Sequence, residues 1–233
     1  MNATALSMKS DALCEQTAVN LLSLIKKRDM TCVDLMDSCI QRYEQVNHAV
    51  NAIVETNFEN ALSVCRDVDD SFKQRLSDEM FLPIPIGIKD LNDVAGMKTT
   101  YGSPLFKDNQ VKNDDDIVAH LKENSAIIFG KTNVPEHGFG ATTTNPLQGS
   151  TGNPFNPSLS AGASTGGGAA AVAASIVPLA TGSDFAGSLR TPAGFCGIAG
   201  MRPSNGVLAT GRRSNIWSPL DMSLINISEP TST

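Results

Sequence analysis

Gly162-Ala163-Ser164-Thr165-Gly166-Gly167-Gly168-Ala169-Ala170-Ala171-Val172-Ala173-Ala174-Ser175-Ile176-Val177-Pro178-Leu179-Ala180-Thr181 passes from a glycine loop through small apolar residues into a short apolar run. It reads as a tight turn, an alanine-rich buried helix over 169–175 and a buried strand over 177–181. Upstream, residues 138–168 are rich in Gly, Ser, Thr, Asn and Pro, a loop composition. A loop of that length inside a compact domain usually carries function. Further upstream lie an apolar strand at 126–131, a helix at 116–123 and the strand Pro83-Ile84-Pro85-Ile86-Gly87-Ile88, which ends in Lys89-Asp90. Helices thus alternate with short buried strands, the pattern of an α/β sandwich. Residues 1–80 read as helical. Ala18, Leu21, Leu22 and Ile25 have amphipathic spacing, as do Val33, Leu35, Met36, Ile40 and Tyr43. Thr31 with Asp34 forms a helix-start signal, and 57–72 again mixes apolar and charged residues at helical spacing.

Bulk properties exclude several classes. The 233 residues suffice for one sizeable domain, and a hydrophobic fraction of 41% is that of a soluble globular chain. A net charge of −6 with mixed signs argues against a nucleic-acid surface. The five cysteines, Cys14, Cys32, Cys39, Cys65 and Cys196, form no C-x-x-C pair. Free thiols in a reducing, cytoplasmic setting are expected rather than disulfides or zinc. No His/Cys/Asp cluster has ligand spacing, so no metal or cofactor is expected. The N-terminus lacks a signal-type apolar stretch, and the longest apolar run, 169–180, is too short to span a bilayer.

Two serine loops carry the chemistry. The first is 162–168; the second is Asp184-Phe185-Ala186-Gly187-Ser188-Leu189-Arg190. All three histidines, His48, His120 and His137, precede them. Gly162-x-Ser164-x-Gly166 matches a nucleophile elbow, but no strand leads into it and no histidine follows. A phosphate cradle would need a lysine after the glycines or a strand before them. A lysine base needs burial to shed its charge at neutral pH. Lys89 and Lys131 each end a strand, and a solvated surface charge is the bland alternative for both. In the second loop, Asp184 and Arg190 bracket a turn whose backbone N–H groups at Phe185, Ala186, Gly187 and Ser188 suit an oxyanion. A structural turn with a serine cap is the competing reading.

Taken in order, these segments resemble the amidase signature family, the Ser-cisSer-Lys hydrolases. The resemblance covers Asn47-His48-Ala49-Val50-Asn51-Ala52-Ile53-Val54, the stretch 85–90, Gly130-Lys131-Thr132-Asn133-Val134-Pro135-Glu136, 162–171, 182–193 and Phe195-Cys196-Gly197-Ile198-Ala199-Gly200-Met201-Arg202-Pro203-Ser204, roughly 13–211 in all. It implies an α/β/α sandwich with a mixed central sheet and N-terminal helices, ending short of the family's full length. The domain would occupy 1–222, with a helical part at 1–80, a catalytic α/β core at 81–222 and an irregular unaligned tail at 223–233. Unpaired strand edges and open apolar faces follow from the short length.

Residue by residue, the resemblance implies Lys89 as the base, Ser164 as the bridging serine after a cis peptide bond and Ser188 as the nucleophile. The backbone of Phe185, Ala186, Gly187 and Ser188 supplies the oxyanion donors, and Asp184 and Arg190 support the turn. Lys131 falls on a motif position that is not the base. The departures are Ala163 and Ala186 where the family often has Gly, Thr165 for the second serine of its pair, and Gly168 where a polar residue is common. The implied activity is hydrolysis of a carboxylic acid amide through an acyl-enzyme, without cofactor or metal. The partner is a small-molecule amide, neither nucleic acid nor membrane, and a homodimer is compatible. Two alternatives stay open: a glutamine-hydrolysing amidotransferase subunit, and a truncated inactive amidase-like protein.

Overall fold

The computed structural model describes residues 15–72, 82–204 and 223–227, together with Leu13 and Val207. The chain runs α1 (Ala18–Lys26), α2 (Cys32–Val50), β1 (Ile53–Thr56), α3 (Phe58–Asp70), β2 (Pro85–Lys89), α4 (Asp116–Glu123) and β3 (Ile127–Thr132). Two small hairpins follow, β4 (Thr144–Asn145) with β5 (Gly149–Ser150), and β6 (Gly152–Asn153) with β7 (Asn156–Ser160). Then come α5 (Gly166–Ala173), β8 (Leu179–Ser183), α6 (Arg190–Cys196) and β9 (Ser223–Ile227).

The main sheet has five strands in the order β1-β3-β2-β8-β9. β2 lies at its centre, parallel to β3 and β8, while the edge strands β1 and β9 run antiparallel to their neighbours. Every residue of β2 and β3 is buried, as expected of parallel strands covered on both faces. One face packs Ile84, Ile86, Ile88 and Ile128 against Val118 and Leu121 of α4. The other face meets α2, α3 and α5 through Phe129, Ala180, Met36, Cys39 and Ala169. Strand parity therefore sends the isoleucines of β2 to one side and Lys89 to the other. The result is the α/β/α sandwich with a mixed sheet expected from the sequence.

Local chemistry accounts for the helices. Thr31 Oγ1 accepts from the Asp34 N–H at 3.0 Å while Asp34 Oδ2 accepts from the Thr31 N–H at 2.9 Å, a reciprocal cap on α2. Arg42 Nε donates to the Ala174 carbonyl at 2.8 Å and satisfies the C-terminal end of α5. The run of small residues in α5 lets it lie directly on the sheet. A Cβ on Gly167 would sit 2.3 Å from Asn133 N and 2.8 Å from the Ala52 carbonyl oxygen.

Three expectations need correction. The helical reading of 1–80 missed β1. Asn51 turns left-handed at φ 48° and ends α2, and Ile53-Val54-Glu55-Thr56, three of whose four residues are β-branched, then pairs with β3. Residues 223–227, expected to be irregular, form β9 against β8 from Ser183↔Ser223 to Leu179↔Ile227. A bare edge of β8 offers backbone groups that such a strand satisfies. The glycine-rich stretch contains the two hairpins, and α5 begins at Gly166 rather than at 169. The helical reading of 1–12, 14 and 73–80, the core assignment of 81, 205, 206 and 208–222 and the irregular reading of 228–233 lie outside the described residues.

Candidate active site

Lys89 ends the central strand and is fully buried. Its N–H donates to Thr181 Oγ1 at 2.9 Å, which fixes the strand end against β8. The side chain crosses to the α5 side, where Nζ lies 2.7 Å from Ser164 Oγ, 2.9 Å from Thr165 Oγ1 and 2.7 Å from Ser183 Oγ. All three hydrogen-bond partners are hydroxyls. Burial holds the Lys89 pKa down to about 7, against the opposing pull of the Asp184 charge.

The first serine loop is held from both ends. Thr143 donates to the Gly162 carbonyl at 2.8 Å, and its oxygen accepts from the Gly166 N–H at 3.1 Å. The Ala163–Ser164 peptide is cis. Ser164 and Thr165 are both buried. The Thr165 N–H donates to the Ser188 carbonyl at 3.0 Å and joins the two serine loops.

Asp184 organises the second loop. Its buried carboxylate accepts from the Gly187 N–H at 2.7 Å, from the Arg190 N–H at 3.3 Å, and from Arg190 Nε and Nη2 at 2.8 and 3.1 Å. Burial pushes its pKa up, but the Arg190 side chain and the N–H groups of Gly187 and Arg190 outweigh that and hold it at about 2. The brace expected from Asp184 and Arg190 therefore exists. One expected oxyanion donor does not stand free: the Gly187 N–H is taken by Asp184. Among the described residues, the N–H groups of Phe185, Ala186 and Ser188 have no such acceptor.

Lys131 has a different fate. It pairs with Asp90 at 2.8 Å, both buried, and donates to the Lys98 carbonyl and Thr99 Oγ1 at 3.0 Å each. Asp90 in turn accepts from the Thr100 hydroxyl and N–H. Lys131 is thus a structural ion pair that fixes the β2 end and the following loop.

A cavity of about 730 Å³ opens above the serine loops. Ser164, Ser183 and Ser188 contribute to its lining, as do Phe139, Phe185 and Phe195, which are 84%, 63% and 54% exposed. Among the described residues no hydrogen bond joins Ser188 Oγ to Ser164 Oγ; both line the same cavity. His137 also reaches this lining, but its ring packs with Tyr101 and Phe106 and bonds to neither serine. No group of three His, Cys, Asp or Glu among the described residues is placed to share a metal ion.

Four contributors were missed from the sequence: Thr143, Thr165, Ser183 and Arg202, whose Nε donates to the Asp184 carbonyl at 3.3 Å. Thr165 and Ser183 stood inside the quoted motifs without a role. Thr143 lies 21 residues before Ser164, in a polar loop that offers no local signal.

Residues 34–223 match the family model described as Amidase. The chain belongs to the amidase signature family of hydrolases. It is 37% identical over 195 residues to an acylamidase of Rhodococcus erythropolis, covering 82% of this chain and 40% of that protein. It is 33% identical to a glutamyl-tRNA(Gln) amidotransferase subunit of Bacillus velezensis, covering 84% and 40%. The solved structure of a bacterial aryl acylamidase superposes with a TM-score of 0.84 at 29% identity, over 91% of this chain and 45% of that one. The chain thus spans about two fifths of the length of these curated relatives. No helix among the described residues is long and apolar enough to cross a membrane.

Proposed function

We propose that this chain carries the catalytic core of an amidase in which Ser188 is the nucleophile, Ser164 the proton relay and Lys89 the base. The observation that carries the reading is a fully buried lysine whose three hydrogen-bond partners are hydroxyls, one of them Ser164, beneath a cavity that Ser188 also lines. Neutral Lys89 accepts the Ser164 proton as Ser164 accepts that of Ser188, and Ser188 Oγ bonds to the amide carbonyl carbon. Catalytic hydrogen bonds that are open without substrate tighten in its complex, which brings the two serines into contact. The carbonyl π electrons move to oxygen, and the N–H groups of Phe185, Ala186 and Ser188 are the donors to that oxyanion. Each such donor contributes about 3–4 kcal/mol in comparable enzymes. On collapse the C–N bond breaks, Ser164 protonates the departing nitrogen and is reprotonated by Lys89. Water then cleaves the acyl ester by the same relay.

The aromatic lining favours carboxamides with an apolar or aryl group over strongly polar ones. A serine-directed fluorophosphonate should label the 233-residue chain at Ser188, and Ser188→Ala should abolish the labelling; persistence in the variant removes Ser188 as nucleophile. The relatives named as glutamyl-tRNA(Gln) amidotransferase subunits support a second reading, glutamine hydrolysis within a complex. Ammonia release from glutamine on adding a copurified partner, with no turnover of aryl amides, would select it. A cytoplasmic setting fits the buried cysteines Cys32, Cys39, Cys65 and Cys196, none of which is in a disulfide.

A further inference from the structure

We propose that Thr165 and Ser183 are a positioning pair that aims the lone pair of Lys89 at Ser164. The inference deepens the reading of Lys89 as base and rests on it. A primary amine offers three tetrahedral directions besides its carbon. Here all three are filled by hydroxyl oxygens, at 2.7 Å (Ser164), 2.9 Å (Thr165) and 2.7 Å (Ser183). As an ammonium, Nζ donates to all three. As a neutral amine it has two N–H bonds and one lone pair. The base works on Ser164 only when the two N–H bonds are accepted by the other two hydroxyls.

The surroundings of Thr165 are built for that task. It occupies the N-cap of α5, yet its side chain caps nothing. The Gly166 N–H turns to Thr143 instead. The Thr165 hydroxyl donates toward the Ser183 carbonyl at 3.4 Å, and its oxygen accepts from Lys89 at 2.9 Å and, at the longer distance of 3.4 Å, from the Ser183 N–H. Its methyl is wedged between two glycines: a Cβ on Gly168 would lie 3.2 Å from that methyl, and one on Gly182 would lie 2.7 Å from it. Glycine at 168 thus makes room for threonine at 165, and together they fix the rotamer that turns the hydroxyl to Lys89. Ser183 lies at the cavity wall, where its own hydroxyl hydrogen has room to turn outward.

The charges around Lys89 do not supply this direction. Asp184, on the turn after β8, acts on the lysine but is braced by Arg190 and Arg202. α5 consists of Gly, Ala and Val only, and Lys131 of β3 is paired with Asp90.

The test is a titration of the 233-residue chain carrying [13Cε]lysine, with the Lys89 resonance assigned by its loss in Lys89→Met. Thr165→Val and Ser183→Ala each remove an acceptor from the ammonium form, so the Lys89 midpoint should fall by about one pH unit. Thr165→Ser and Ser183→Thr should restore it. A lower midpoint supplies more neutral amine at neutral pH, so a lysine that needed no aiming would label Ser188 faster with fluorophosphonate. Loss of aim predicts the opposite, labelling at least about tenfold slower. Midpoints that stay put in both folded variants, or labelling that speeds up, overturn the inference. Should Thr165→Val fail to fold, Ser183→Ala alone decides. If the wild-type chain is not labelled at all, the amidase reading fails, while the midpoints still judge the positioning pair.

Discussion

Replacing Lys89 by methionine should change how stability responds to pH. In the folded chain burial holds the Lys89 pKa at about 7, whereas the unfolded chain has the ordinary value of 10.5. That gap of about 3.5 pH units, at ~1.4 kcal/mol each, amounts to about 5 kcal/mol. Between the two values the unfolded chain binds a proton that the folded chain has released, so wild-type stability rises with pH across that window. Below pH 7 both states hold the proton and the whole cost of burying the charge is felt. Methionine keeps the length and has no charge to bury. It also leaves the hydroxyls of Ser164, Thr165 and Ser183 without their amine, a pH-independent loss of about 1–3 kcal/mol for each one left unsatisfied. The slope is therefore the clean readout. Urea unfolding of both proteins at several pH values between about 6 and 9.5 should show the wild type gaining on the variant by about 1.4 kcal/mol per pH unit above 7. Parallel curves would refute the reasoning, because they would mean that Lys89 keeps its proton, or its water, in the folded chain.

Lys131→Met should destabilise at neutral pH, because it strands the buried carboxylate of Asp90. The expected loss is about 3–5 kcal/mol, seen as a lowered Tm at pH 7. Gly167→Ala should destabilise by about 1–3 kcal/mol by pushing α5 off the backbone of Asn133 and Ala52, measurable as a fall in the urea midpoint with unchanged slope. The depressed pKa of Asp184 contributes stability that is complete above about pH 4 and is lost as pH falls toward 2. Asp184→Asn should flatten the acid limb of the stability curve over that range, and an acid limb identical to wild type would show that the Arg190 brace contributes nothing.

The two serine loops were legible in the sequence as tight turns because their signals are local, whereas the roles of Lys89, Ser164 and Ser188 came from the family resemblance. A glycine run before an alanine helix demands a tight turn, and Asp184 and Arg190 bracket the second turn at a spacing short enough to pair. The capping box of α2 was equally plain in Thr31 and Asp34. What escaped depends on partners distant in the chain. Ile53-Val54-Glu55-Thr56 is too short to announce a strand between two helices, and β3, the partner that makes it one, begins at Ile127. β9 exists through pairing with β8, which no property of Ser223-Leu224-Ile225-Asn226-Ile227 alone dictates. The Gly187 N–H looked available until the fold turned the Asp184 carboxylate toward it.

The choice between the two lysines shows most clearly what a linear reading omits. Lys89 ends β2 and Lys131 is the next-to-last residue of β3, and the two buried strands are parallel neighbours. Simple alternation along β3 would put Lys131 on the side of Phe129, which faces α2 and α3. The register forbids it. Ile86 pairs with Ile128, but Gly87 pairs with Gly130, so Phe129 is an extra residue in the ladder. That bulge reverses the parity of everything after it. Lys131 then sits beside Ile88, on the α4 side of the sheet, where Asp90, Lys98 and Thr99 receive it. Lys89 has no bulge before it in β2 and keeps to the α5 side, where the serine loops close over it. One unpaired residue thus keeps a second ammonium group out of the space beside Lys89. With both lysines on that side, Asp90 would lose its partner and the hydroxyl cluster would gain a fixed charge in place of a proton acceptor.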